Sequence, residues 1–350
     1  MRVVLADPPA YTPPYDHALA GALARQGADV RLLTSRFRYG PVPQPAGYEL
    51  DDSLYPLSTR IGRTKPRLAI KALEHPPALA RIGLARGDLV HLQWIASPTV
   101  DAWLLRTRAP LVFTAHDLLP RRTAGHARTW RRLFDRFDRV VVHSERGRRT
   151  LVGFGVDEAK LRVIPHPVFR SAPERTDDGR TVLALGVIRE YKGLPDSVEA
   201  VLGVRDARLL VAGDPRIELG ALQEVAGARA EWRLGYLGQA ELELALGAST
   251  IAVFPYRAEL DQSGALLQAL GAGVPAVVYD VGGLGEIVGA FGAGRVVPAG
   301  DVGALSDAIR TLLTSSDELS EARAGAARAR DALTWDNAAT SHLDLYREVL

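Results

Sequence analysis

The chain has 350 residues, and since one core usually serves about 100–200 residues, two domains and a cleft are expected. With 47% hydrophobic and 24% charged residues it belongs with soluble globular proteins, and without cysteine it has no disulfide, no thiolate metal site and no Cys nucleophile, which suits a reducing cytoplasm. The net charge of +2 hides an asymmetry, 26 Lys and Arg against 15 Asp and Glu in residues 1–168 and 17 against 26 in the rest; a basic first half suits an anionic partner such as a phospholipid surface, a lipid-linked pyrophosphate or an acidic glycan, although an Arg-rich bias would explain the choice of Arg over Lys.

The opening MRVVLADPPAYTPP has an apolar run cut short by Asp7, too brief for a secretory segment, and reads as a first strand. Further strands follow at 29–34, 88–94, 110–117 and 139–144, with helical spacing at 16–26, 99–107 and 127–137. The pattern stops near Pro165-His166-Pro167, and the polar SAPERTDDGR at 171–180 reads as a linker. A second series runs through 181–186, 208–213, 231–238, 250–256, 275–281 and 294–298, and the chain closes on an amphipathic helix within 333–350. No uncharged apolar stretch of about 18 residues occurs, so no membrane span is expected. Strands alternating with helices predict an α/β protein with two doubly wound parallel sheets. The expected boundaries are an N-terminal domain over 1–168, a C-terminal domain over 169–334, and a helix at 335–350 that crosses back to the first domain.

In such sheets ligands sit beyond the C-terminal ends of strands, where helix N-termini offer free N–H groups. In LGVIREYKGL a strand ends at Gly186, Arg189 and Lys192 follow, and Gly193 opens a helix; the planar fork of Arg and the point charge of Lys suit a diphosphate, the alternative being two solvated charges on a turn. In PYRAELDQSG the chain again turns into a helix at Ser263-Gly264. Gly264 lets a ligand approach the backbone, and the Ser263 hydroxyl either caps the helix or binds an oxygen. Gln268 lies one turn further, near the same face. Pro13-Pro14-Tyr15-Asp16 follows the first strand, where Tyr15 and Asp16 either hydrogen-bond an acceptor hydroxyl or begin a capped helix. Among the eight histidines His116, in FTAHDLLP, ends a strand; a structural His bonded to a carbonyl is the other reading. The run 121–140 sets Trp130, Leu133, Phe134 and Phe137 among arginines and faces either an anionic membrane or the core.

Taken in order, LGVIREYKGL, LLVAGD, VFPYRAELDQSGALLQALGAGVPAVV, VGGLGEIV, HLQWI, FTAHDLLP, VHSERGRRTLV and TWDNAA resemble, essentially end to end, the retaining glycosyltransferases of family 4. That group has the GT-B fold and includes many bacterial polysaccharide and glycolipid enzymes. The resemblance implies two Rossmann-like domains facing each other across a cleft, with the sugar nucleotide held mainly by the second and the acceptor by the first. It implies that Arg189 and Lys192 neutralise the donor diphosphate, that Ser263-Gly264 meets phosphate oxygens, with Gly186 beside them, and that His116 approaches the transferred sugar. The family's Glu, seven residues, Glu pattern is replaced here by Leu260 and Gln268, so Gln268 would hold the ribose through its amide, and Glu259 or Asp261 would stand in for the first carboxylate. The usual glycine pair after the first strand is absent, and Pro165-His166-Pro167 replaces Pro-His-Gly.

The chain contains neither HExxH nor GxSxG, and no paired metal-ligand spacing or dinucleotide fingerprint follows the first strand. The expected activity is that of a retaining, metal-independent hexosyltransferase moving a sugar from a nucleotide diphosphate to a glycan, lipid-linked or other hydroxyl acceptor, in the cytoplasm or at the inner face of the membrane. No cofactor and no nucleic acid are expected. The alternatives are a binding or scaffold protein of glycan assembly and a GT-B-type sugar-nucleotide epimerase.

Overall fold

Runs of Val, Leu and Ile fill the central strands of two sheets in the computed structural model, which describes every residue except Tyr39, Arg63, 120–122, Ala124 and 258–259. The chain divides into unit 1, Met1–Pro165 with Trp335–Leu350, and unit 2, His166–Thr334.

Unit 1 runs β1 (Arg2–Asp7), α1 (Pro13–Arg25), β2 (Asp29–Ser35), β3 (Glu49–Leu54), α2 (Lys65–Gly83), β4 (Leu89–Leu92), α3 (Pro98–Leu104), β5 (Leu111–Thr114), α4 (Ala127–Phe134), β6 (Arg139–Val142), α5 (Glu145–Phe154) and β7 (Leu161–Val163). Its sheet is parallel, ordered β3-β2-β1-β4-β5-β6-β7, so the winding reverses between β1 and β4, where Val3 pairs with Val30 on one side and Leu89 on the other. That reversal opens a crevice at the C-terminal strand ends. The edge strands β3, ELDDSL, and β7, LRV, lack an apolar run and escape the sequence reading, because their neighbours' backbones supply the pairing.

Unit 2 runs β8 (Thr181–Leu185), α6 (Leu194–Leu202), β9 (Arg208–Gly213), α7 (Gly220–Ala226), β10 (Ala230–Leu234), α8 (Gln239–Gly247), β11 (Ile251–Phe254), α9 (Gly264–Gly271), β12 (Ala276–Tyr279), α10 (Gly282–Phe291), β13 (Gly294–Val297), α11 (Val302–Thr314) and α12 (Ser316–Ala332). The strand order is β10-β9-β8-β11-β12-β13, again parallel and reversing at its first strand, β8. Each sheet is covered by helices, and aliphatic residues of strands and helices interlock to form the core of each unit.

The last helix, α13 (Trp335–Arg347), packs on α1 in unit 1. Arg25 pairs with Asp336 at 2.5 Å, the Gln26 amide donates to the Asp336 carbonyl at 2.6 Å, and Tyr346 Oη lies 2.6 Å from His91 Nδ1.

One sequence expectation is corrected, and one open alternative is decided. Residues 171–180 are not a free linker. Arg175 donates to the carbonyls of Leu246 and Ser249 at 3.2 and 2.7 Å, and Asp177 accepts from Arg323 at 2.9 Å, which straps the segment to unit 2. The stripe of Trp130, Leu133, Phe134 and Phe137 is wholly buried in unit 1, so α4 turns its apolar face to the core and not to a membrane. Among the described residues no helix is long and apolar enough to cross a membrane.

Candidate functional site

In unit 2 the candidate residues gather at the C-terminal ends of β8 and β11. Gly186 follows β8 at φ +102, a left-handed conformation that disfavours a side chain, and a Cβ there would lie 3.0 Å from Lys192 Nζ. Glycine therefore lets the lysine fold back over the strand end, where its Nζ also lies 5.1 Å from the Tyr256 ring centroid. Lys192 ends a short 3₁₀ turn, Glu190–Lys192, preceded by Arg189, whose side chain is exposed. The turn passes through Gly193 into α6. A cavity of about 20 Å³ lies under the lysine, lined by Gly186, Ile188, Ser197 and Tyr256.

Ser263 is the N-cap of α9. Its Oγ caps the helix, accepting from Leu266 N at 3.3 Å, and lies 2.9 Å from Tyr256 Oη. Gly264 is exposed, and a Cβ on it would meet nothing within 4 Å, so the start of α9 opens to solvent. Gln268 is half-buried one turn on. Asp261 is only 1% exposed, so its carboxylate is closed to solvent and does not stand open for a ribose. Glu259 lies outside the described residues.

What holds this loop in place is absent from the sequence reading. Asp196, buried in the first turn of α6, receives the Arg257 guanidinium, with Nε at 3.1 Å, and the Tyr279 hydroxyl at 3.1 Å. Arg257 N also donates to Tyr191 O at 2.7 Å, which ties the β11 loop to the Lys192 turn. Burial, then the Asp196 charge, pushes the Tyr279 phenol up, and the bond to Asp196 raises Arg257. Behind the same loop Gly282 packs so closely that a Cβ would lie 1.6 Å from Leu260 O. Arg257 and Asp196 stand 61 residues apart, and no spacing rule joins them.

In unit 1 the corresponding strand ends are those of β1, β4 and β5. Asp7, at the end of β1, shapes the following turn: its Oδ2 accepts from Tyr11 N at 2.7 Å and Thr12 N at 3.2 Å, and Ala10 takes φ +52. Asp16 is buried in α1 close by, with Thr12 Oγ1 at 3.5 Å from its Oδ2. Burial pushes Asp7 up to about 6, and burial with the Asp7 charge raises Asp16 further, so Asp16 keeps its proton longer. Asp16 lines a cavity of about 140 Å³ with His17, Thr34, Arg36 and Asp52. Tyr15 is a correction. It is buried edge-on against His116, 4.6 Å between centroids, and against Trp335, 5.2 Å, so it packs the helix start and offers no open hydroxyl to an acceptor.

His116 is half-buried two residues beyond β5, stacked on Trp94 with centroids 5.3 Å apart. His143 Nδ1 lies 2.9 Å from Ile164 O and must donate there, which leaves its Nε2 to accept from His116 Nδ1 at 3.3 Å. His116 Nε2, left as the acceptor, lies 3.0 Å from Gln93 Oε1, so this bond forms with the Gln93 amide turned to present its NH₂. Burial holds His143 down at about 4, so the relay keeps His116 in one orientation near neutral pH. Gln93 and Trp94 sit in the HLQWI block, but only the fold brings them to His116.

Residues 15–170 match the family model Glycosyltransferase Family 4, and residues 179–315 match Glycosyl transferases group 1. The chain is 27% identical, over 95% of its length and 91% of the relative's, to a phosphatidyl-myo-inositol mannosyltransferase of Mycobacterium leprae. It is 28% identical, over 53% of its length and 60% of the relative's, to a GDP-mannose:glycolipid 4-beta-D-mannosyltransferase of Xanthomonas campestris. Sucrose-phosphate synthase from Thermosynechococcus elongatus superposes with a TM-score of 0.79 over 99% of this chain and 98% of that one, at 20% identity. Anabaena Alr3699/HepE in complex with UDP and glucose superposes at 0.69 over 99% and 100%, at 15% identity. Identities this low speak for a shared fold.

Proposed function

The chain belongs to glycosyltransferase family 4 and has the GT-B fold, and from that premise we propose that it moves a sugar from a nucleotide diphosphate to a hydroxyl of a lipid-linked or glycan acceptor, with retention of configuration and without a metal. The observation that carries the reading is the unit 2 constellation: Lys192 folded over Gly186, Arg189 exposed beside it, and the open start of α9 at Gly264.

A leaving diphosphate develops charge as the glycosidic bond breaks, and a cation with helix N-terminal amides stabilises that charge before any rearrangement of the protein. In this reading Lys192 and Arg189 meet the diphosphate, the α9 amides meet the outer phosphate, and Gln268 bonds the ribose as donor and acceptor. The departing phosphate takes the acceptor proton on the same face of the sugar. Unit 1 receives the acceptor, and His116, fixed by His143 and Gln93, bonds a hydroxyl of the transferred sugar. The names of two relatives, one acting on phosphatidyl-myo-inositol and one on a glycolipid, support a lipid-borne acceptor.

The test is a panel of UDP-, GDP- and ADP-sugars with lipid-linked and soluble acceptors in the presence of a chelator, with the product linkage read by NMR. Transfer with the donor's anomeric configuration is expected. Inversion would overturn the mechanism, and nucleotide binding with neither transfer nor donor hydrolysis would overturn the activity. Lys192→Ala is expected to weaken nucleoside diphosphate binding by about ten- to hundredfold, the worth of one charge-assisted bond.

A further inference from the structure

We propose that the groove between α3 and α4 of unit 1 binds an acidic glycan, a chain of uronic acids, through arginine forks beside an exposed tryptophan. The choice of a glycan over other anions rests on the transferase reading; the groove itself does not. With the apolar stripe of α4 turned to the core, the arginines of the same helix face outward, and Arg128, Arg131 and Arg132 are all exposed. Together with Trp103 of α3, Thr129 and Asp135 they line an open groove of about 410 Å³.

Two of the guanidinium groups are held in place before any ligand arrives. Arg132 Nε donates to Ala102 O at 3.2 Å, and its guanidinium lies 3.5 Å from the Trp103 ring centroid. Arg131 Nε donates to Phe154 O at 3.3 Å, with its guanidinium 5.5 Å from the Phe154 ring centroid. In both, Nε is engaged by a backbone carbonyl and an aromatic ring supports the group, so the Nη atoms fork onto a carboxylate with little further ordering. Several arginines of unit 1 are paired with acids, as Arg31 is with Asp51 and Arg148 with Glu145, each at 2.7 Å. Among the described residues Arg128, Arg131 and Arg132 have no such pair. A surface that orders its cations and leaves them unpaired is complementary to an anion from outside.

Three features select a glycan. Trp103 is 60% exposed although Arg132 lies against it, and its electron-rich ring face suits the C–H groups of a pyranose. Thr129 and Asp135 offer a hydroxyl and a carboxylate to sugar hydroxyls, and Asp135 opposes the dense charge of a nucleic acid backbone. Arg128 and Arg132, about 6 Å apart along the helix axis, suit carboxylates on neighbouring sugars.

The experiment is titration calorimetry of the full chain with hexagalacturonate, with maltohexaose as the neutral control and a DNA single strand of equal charge as the rival polyanion. Hexagalacturonate is expected to bind with a Kd below about 1 mM, less tightly as salt rises from about 0.1 to about 0.5 M, and maltohexaose is expected not to bind. Arg128→Glu and Trp103→Ala, both at exposed side chains, should each lower the affinity about tenfold with unchanged melting temperature. Arg132→Lys keeps the charge but loses the planar fork, and should lower it about threefold. A wild type that does not bind hexagalacturonate, or variants that bind it as the wild type does, would overturn the proposal. So would maltohexaose or DNA bound as tightly as hexagalacturonate, since the groove would then not read an acidic sugar. Transfer to a soluble acceptor, measured on the same preparation, separates the two questions. Transfer without hexagalacturonate binding sinks the groove alone, and binding without transfer sinks the transferase reading and leaves the groove standing.

Discussion

Replacing Asp7 by Asn tests the electrostatics of the unit 1 strand end most directly. Burial carries the Asp7 carboxyl from its ordinary 3.8 to about 6. Each tenfold change in proton affinity is about 1.36 kcal/mol, so an ionised Asp7 costs the fold about 3 kcal/mol above the folded-state value. The sign follows from proton binding. Between these two values the folded chain holds a proton that the unfolded chain has released, so the Asp7 contribution is fully present below 3.8 and is lost as pH rises through about 6. Asparagine imitates the protonated acid: its oxygen accepts from Tyr11 N and Thr12 N as Asp7 Oδ2 does, and its NH₂ takes the place of Oδ1. Asp7→Asn should match the wild type at about pH 4 and exceed it by about 3 kcal/mol at about pH 8. Urea unfolding across that range measures this, and the difference between the two curves removes the histidine contributions common to both. A variant no more stable than the wild type at the alkaline end, or a difference that does not vary with pH, would refute the reasoning.

Four other outcomes are expected. Gly186→Ala places a Cβ 3.0 Å from Lys192 Nζ at a left-handed φ, and should cost about 1–2 kcal/mol of stability and weaken nucleotide binding, read by melting temperature and titration calorimetry. Arg257→Ala leaves Asp196 buried with Tyr279 alone; because the Arg257 side chain is 56% exposed and screened, about 1–2 kcal/mol is expected, less than for a fully buried pair, with Asp196→Asn restoring part of it in the double variant. Gln268→Glu should tighten donor binding about three- to tenfold through a charge-assisted ribose bond, and an unchanged Kd would remove Gln268 from the donor site. His143 and His342 are both held down to about 4 from 6.5. Each therefore withdraws about 3 kcal/mol as pH falls from 6.5 to about 4, where only the unfolded chain takes up the protons, and His342→Gln should blunt that acid loss in a pH-resolved melting series.

Local rules reach a long way into this chain. Apolar runs of four to six residues alternating with helical spacing were enough for two parallel sheets, and the strand-end rule alone singles out Gly186, Lys192, Ser263 and Gly264, because a helix N-terminus and a left-handed glycine are encoded within a few residues. The edge strands β3 and β7 are illegible for the converse reason: their pairing comes from neighbours, not from their own side chains.

The tertiary structure decided which face of each helix meets the core. The sequence leaves α4, with its Trp and Phe residues among arginines, open between a membrane and the core, and its stripe is buried, while α2, unremarked in sequence, leaves Leu68 and Leu73 in water. Periodicity shows that a helix has an apolar side; only the shape of the surrounding core shows whether that side is covered. Likewise Asp196 with Arg257, and Gln93 with His116 and His143, are brought together by strands that lie side by side only after the sheet has formed. The residue types that bind and react can be read along the chain, but their partners, protonation and exposure come from contacts between distant segments, which spacing does not encode.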